Sequence, residues 1–147
     1  RKNVSRASRV KGHAFENTIK NMINQELENY RLPYSLERNL TQTRDGGADL
    51  IGIDNLQIEC KRYAKQANDL PRNEWWKQVC DVCEERQQIP ILIYKYDYQD
   101  IQVQFPVMMF NFVAESYDVE FNEAPARMHF DQFINLLMSY LKARTDV

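Results

Sequence analysis

Residues 46–63 read GGADLIGIDNLQIECKRY, and the fold turns on how this stretch pairs with itself. Two short apolar runs, 48–53 and 56–62, flank Asp54-Asn55, a dipeptide that favours a turn, so the stretch reads as two antiparallel strands of a hairpin. In the second run the side chains alternate: Leu56, Ile58 and Cys60 share one face, Gln57, Glu59 and Lys61 the other. The apolar face is expected to pack on a helix and the polar face to line a cleft. A two-residue loop would set Asp49 opposite Cys60, on the wrong face for Glu59. A three- or five-residue loop centred on Asp54, or a bulge, sets it opposite Glu59 instead. The expected register is therefore the odd one, with Cβ atoms about 5 Å apart.

Two carboxylates that close repel, and without a cation one of them should hold its proton above the ordinary range. A hard divalent ion such as Mg²⁺ relieves the repulsion and creates a place for a phosphate. Asp49 and Glu59 are the expected metal ligands, and the backbone carbonyl of Cys60 between Glu59 and Lys61 is a further oxygen. Lys61 is expected to orient water or offset charge on a phosphoryl transition state. Gly46-Gly47 lets backbone approach a phosphate closely. Arg38, Arg44, Arg62 and Lys65 flank the cluster with positive charge suited to a DNA backbone. Glu16 lies at the edge of the first helix's apolar stripe, facing the same cleft.

Outward from the hairpin, Phe15, Ile19, Met22, Ile23, Leu27 and Tyr30 predict a helix over 13–30, ended by Pro33. Residues 35–43 read as a strand and 72–87 as a second helix, with Trp75, Val79, Val82 and Cys83 on its inner side. One of Trp75 and Trp76 is expected in the core and the other part-exposed. Strands follow at 91–98, 101–105 and 126–130; residues 106–125 fit helix or strand equally. Asp131 caps a last helix with Phe133, Ile134, Leu137 and Leu141 inward. The order α-β-β-β-α-β-β, then an undecided segment, then α is that of a mixed α/β domain, and 147 residues suit a single domain over 1–147.

Net charge is only −2, but it is unevenly spread. Residues 1–20 carry six cations against Glu16, and residues 97–147 carry eight acids against Arg127, Lys142 and Arg144. A basic N-terminal arm over 1–12, with Arg6, Arg9 and Lys11 gripping phosphates, and an acidic far side are expected. The chain opens on Arg1, so native residues are expected before it. No apolar run approaches the ~18 residues of a membrane span. Cys60, Cys80 and Cys83 are too few and too oddly numbered for a disulfide framework and suit a reducing compartment. Cys80 and Cys83 read as buried small hydrophobes rather than zinc ligands.

The segments KGHAFE (11–16), RNLTQTRDGGADL (38–50), IECKRY (58–63) and WWKQ (75–78), in that order, resemble the PD-(D/E)XK nucleases, and within them the phage-encoded, Holliday-junction-resolvase-like members. The resemblance covers about residues 5–95, and Ala48 stands where the family's name has Pro. It implies a restriction-endonuclease-like fold: a mixed central sheet flanked by helices, with an α-β-β-β-α-β core. It makes Asp49 and Glu59 metal ligands, Lys61 the catalytic lysine, Glu16 an acid that assists the metal directly or through water, and Gln78 a glutamine aimed at the active site. It implies Mg²⁺- or Mn²⁺-dependent hydrolysis of DNA, with 5′-phosphate and 3′-hydroxyl products, by a structure-selective endonuclease of Holliday junction resolvase type. Its junction-cleaving members are usually homodimers. A restriction-like or flap nuclease shares the chemistry, and a DNA-binding module without turnover is the reading outside the enzymes. The expected setting is the cytoplasm of a bacterial or phage-infected cell.

Overall fold

The computed structural model describes residues 5–41, 47–110 and 125–145. The chain runs α1 (Arg6–Asn29), β1 (Glu37–Arg38), β2 (Leu50–Ile51), β3 (Leu56–Tyr63), α2 (Asn73–Arg86), β4 (Ile89–Tyr96), β5 (Gln102–Pro106), a short 3-10 turn (Val107–Phe110), β6 (Pro125–His129) and α3 (Phe130–Thr145). The six strands lie side by side in chain order. Among the described residues only β3 and β4 are parallel, joined by α2; the other neighbours are antiparallel. This is the mixed α/β fold expected, a sheet between two helical layers.

Period-2 alternation along the strands builds the two cores. Ile58, Ile91, Ile93, Val103 and Phe105 meet Phe15, Ile19, Ile23 and Leu27 of α1 and Phe130, Phe133, Leu137 and Leu141 of α3. On the other face Leu92, Tyr94 and Tyr96 meet Trp75, Trp76, Val79, Cys80 and Cys83 of α2. Each such side chain contributes roughly 1.5–3 kcal/mol by leaving water. Tyr94 and Tyr96 donate their hydroxyls to the carbonyls of Asp69 and Leu70, at 2.7 and 2.8 Å, which ties down the connection into α2.

Several boundaries differ from the sequence reading. Helix α1 starts at Arg6 rather than residue 13, because Ser5 caps it: its Oγ accepts the Ser8 N–H at 3.1 Å. Arg6, Arg9 and Lys11 of the expected arm are therefore helical. The helix ends at Asn29, before Pro33, and Tyr30 is half exposed rather than inward. The expected strands at 35–43 and 48–53 shrink to two residues each. Side chains have taken the ladder bonds: Asn39 Nδ2 donates to the Ala48 carbonyl, and Asp49 Oδ2 accepts the Cys60 N–H. Beyond Ile51, Gly52 sits at φ +133°, and a Cβ there would stand 2.0 Å from the Ser35 carbonyl oxygen. Only glycine tolerates that conformation and approach.

Strand β4 begins at Ile89 and so includes Pro90. Pro90 is tolerated because β5 pairs with β4 only over Leu92–Tyr94, which leaves its missing N–H no ladder partner to lose. Both tryptophans are buried, at 5% and 6% exposure, so neither offers a face to a base. Arg44 and the Asp45-Gly46 part of the turn, Arg1 and Lys2, and the ambiguous stretch 111–124 lie outside the described residues.

Candidate active site

Strands β2 and β3 pair with Leu50 opposite Ile58 across the turn at Asp54-Asn55, the odd register expected from the sequence. Asp49 lies one residue before β2, with its side chain beside Glu59 and Cys60. The Leu56 N–H closes the turn on the Ile53 carbonyl at 3.0 Å, and Asn55 Nδ2 pins it to the Tyr140 hydroxyl at 2.8 Å. Leu56 and Ile58 enter the core against α1 and α3, so Glu59 and Lys61 project toward α2. There a cavity of about 160 Å³ is lined by Gly47, Asp49, Glu59, Lys61, Trp75, Gln78, Val79 and Val82. Gln78, exposed on the first turns of α2, lines the same cavity.

Asp49 is buried, at 8% exposure, and held on three sides. Its N–H donates to the Ile58 carbonyl at 3.0 Å and its carbonyl accepts the Asn39 N–H at 2.9 Å. Its Oδ2 accepts the Cys60 N–H at 2.7 Å. Because the N–H and C=O of one strand residue point to the same edge, the Cys60 carbonyl is directed to the Asp49 side of β3. Burial, and next the Asp49 charge, push the Glu59 carboxyl up to about 9. Gln57 Nε2 donates to Glu59 Oε1 at 3.2 Å, a weaker opposing influence. The site thus holds one proton more than two ordinary carboxylates would at neutral pH.

Such a pair fits a hard divalent cation: all donors are oxygen, and the surplus proton is the charge an ion would replace. Among the described residues no three His, Cys, Asp or Glu side chains converge as a ligand cluster. Beyond Asp49 and Glu59, ligands would come from the Cys60 carbonyl and water, which suits Mg²⁺.

Other expected site residues are placed differently. Glu16, on α1, feels the Asp49 charge but does not line the cavity. It accepts from Arg38 Nε at 3.0 Å, so Arg38, expected on DNA, is engaged by an acid. Burial first, and Asp49 to a lesser degree, raise the Glu16 carboxyl, while Arg38 opposes them. Lys11 and Arg62 both meet Asp97, at 2.6 and 2.7 Å. Asp97, assigned from sequence to an acidic far side, lies among the cations instead. Arg6, Arg9 and Lys65 are exposed.

Sequence reasoning missed Asn39, whose amide braces the Ala48–Asp49 backbone, and Gln57, buried beside Glu59. Strand alternation had already set Gln57 on the Glu59 face but gave it no role there; Asn39 had no local signal. Also missed was a stack at the cavity's edge, where the Arg72 guanidinium lies 4.6 Å from the Tyr63 ring centre and 5.2 Å from that of Trp75. Cys80 and Cys83 are buried under α2, and burial raises both thiols to about 12, as suits core residues rather than zinc ligands.

A sheet flanked by helices, with an acid pair and a lysine on adjoining strands, defines the nuclease class that the motifs resemble. The chain belongs to the family described as "Phage putative PDDEXK endonuclease", which matches residues 7–143 and so reaches well past the quoted motifs into the C-terminal third. No curated protein sequence matches it. Among solved structures it is similar to Hjc, a Holliday junction resolvase from Archaeoglobus fulgidus, at 16% identity and a TM-score of 0.41, over 82% of this chain and 85% of that one. At those values the likeness bears on neither substrate nor residue roles. Among the described residues no helix is long and apolar enough to cross a membrane.

Proposed function

We propose that this chain is a Mg²⁺- or Mn²⁺-dependent DNA endonuclease that cuts branched DNA, with four-way junctions as its preferred substrate. The observation that supports the reading is the cavity that Asp49, Glu59 and Lys61 line together, with Glu59 and Lys61 on one face of β3. Asp49 and Glu59 would hold the cation, with the Cys60 carbonyl beside them. When bound, the ion supplies Lewis-acid charge to a phosphate oxygen and acidifies water.

The protein's own groups do the rest. The Lys61 ammonium offsets charge that grows on the phosphoryl oxygens as water attacks phosphorus and the bond to the 3′-oxygen breaks. The departing 3′-oxygen gains a proton, leaving 3′-hydroxyl and 5′-phosphate ends. Gln78, across the cavity, hydrogen-bonds the water or a phosphate oxygen. Gly47 presents no side chain to the phosphate, and Trp75, Val79 and Val82 keep one wall apolar. Glu16 would assist the cation directly or through water.

Arg6, Arg9 and Lys65 contact the backbone of DNA. The motif combination from KGHAFE to WWKQ supports the junction preference. Resolving a junction takes two cuts, so the reading implies a homodimer. The family's phage association supports action in the cytoplasm of an infected cell.

The test compares four-way junctions, flaps and linear duplex in Mg²⁺ and in EDTA. Cleavage should need the ion and favour the junction. Asp49→Asn and Lys61→Ala should each lower the rate by about 10³ or more. Retained cutting by either variant would refute the assignment. Preference for flaps or duplex would instead support a flap or restriction-like nuclease, and ion-independent binding without cutting would support a DNA-binding module.

A further inference from the structure

Asp97 is gripped by two cations from distant parts of the chain. Lys11 Nζ and Arg62 Nη2 lie 2.6 and 2.7 Å from the same oxygen, Oδ1. Lys11 sits in the second turn of α1, Arg62 is the last residue but one of β3, and Asp97 follows β4. The Asp97 N–H donates to the Tyr63 carbonyl at 3.2 Å, which extends the β3–β4 ladder and fixes the meeting point. The cluster therefore stands at the carboxyl ends of the one parallel strand pair among the described residues, the edge where open α/β sheets take their ligands. Arg62 directly follows Lys61 but points to the opposite face of β3.

An ammonium and a guanidinium that converge on one oxyanion make the arrangement that holds a phosphate. The side chains of Lys11, Asp97 and Arg62 are 40%, 27% and 14% exposed, so a nucleic-acid backbone can reach them. Arg62 is ordered independently of Asp97, because its Nη1 also donates to the Tyr63 carbonyl at 2.7 Å. The two cations hold the Asp97 carboxyl below the ordinary range, Lys11 most strongly, so it stays charged and yields only to a competing anion.

We propose that Lys11 and Arg62 form a DNA-phosphate site, and that Asp97 occupies it in the free protein until a backbone phosphate takes its place. The inference rests on the nucleic-acid reading above and adds to it an internal competitor for DNA. Asp97 then restrains indiscriminate binding, since only a backbone able to supply a phosphate at this point recovers what the displaced ion pairs lose.

The experiment is fluorescence anisotropy of labelled junction and duplex DNA in EDTA, across about 50 to 200 mM KCl. Asp97→Asn should tighten binding by about threefold or more at the low-salt end and steepen the dependence of log K on log salt by about one. In a Lys11→Ala/Arg62→Ala background the same substitution should bring no gain. Asp81→Asn, an equal charge change on the outer side of α2, should move affinity by less than about twofold. Unchanged or weakened binding by Asp97→Asn, or a gain that survives without Lys11 and Arg62, would overturn the proposal. Should circular dichroism show Asp97→Asn unfolded, Asp97→Ser is read the same way; loss of fold in both would make Asp97 a strut and also overturn it. Wild-type protein that binds DNA without cutting it sinks the nuclease reading and leaves this comparison standing. Cutting by wild type, with Asp97→Asn bound unchanged, sinks this one alone. Absence of DNA binding in both sinks both.

Discussion

Replacing Asp49 by Asn should abolish cleavage and yet leave the metal-free protein more stable at pH 8. Glu59 is pushed up to about 9, by burial and then by the charge of Asp49. From the ordinary value of 4.5 up to about 9 the folded chain keeps a proton that the unfolded chain has released. Stability of the metal-free wild type therefore falls as pH rises through that window, by up to about 1.4 kcal/mol per pH unit. By pH 7 the loss amounts to about 3 kcal/mol. The Asp49→Asn change removes the charge, and the new amide oxygen can still accept the Cys60 N–H. Burial, the larger cause, persists, so about 1–2 kcal/mol should return, or roughly 3–6 °C in melting temperature for a chain of this length.

Urea or thermal melts in EDTA at pH 6 and pH 8 read this directly, and the gain should be larger at pH 8. Mg²⁺ at about a hundred times its Kd should stabilise wild type by about 2.7 kcal/mol and the variant far less. A variant less stable than wild type in EDTA at pH 8, or one stabilised equally by Mg²⁺, would refute the reasoning.

Gly52→Ala meets the Ser35 carbonyl and a backbone angle that disfavours a Cβ; it should cost about 2–5 kcal/mol in urea melts and lower activity by disturbing the β2–β3 register. Asn39→Ala removes the brace on Ala48; it should cost about 1 kcal/mol in stability, while kcat falls more than KM rises because Asp49 is less well held. Cys80 and Cys83, buried and with thiols raised by that burial, should resist alkylation at pH 8 and react together on unfolding, as mass spectrometry would show; rapid labelling of both in the native chain would contradict their burial.

Much of the site was legible because it is local. The acids, the lysine and the turn all fall within residues 46–63, where period-2 alternation decides faces and loop length decides register. Gln78 was reached only through the resemblance, since nothing in the spacing of α2 says which way a polar residue looks. The helical period found the core of α3 and most of that of α1, but erred over Tyr30, which is exposed, and over Trp76, which is buried. An amphipathic count assigns one buried face, whereas Tyr94 and Tyr96 of β4 build a wall wide enough to cover both tryptophans.

The sequence by itself determined that Asp49, Glu59 and Lys61 lie close together, because strand geometry links neighbours a few positions apart. Tertiary structure alone decided what the charges meet. Arg38 turned to Glu16 on α1, and Lys11 and Arg62 to Asp97, across 22, 86 and 35 positions of chain. Such pairings follow from how α1 and β4 lie on β3, and that arrangement is set by apolar burial summed over the whole core. No local pattern of charge encodes it.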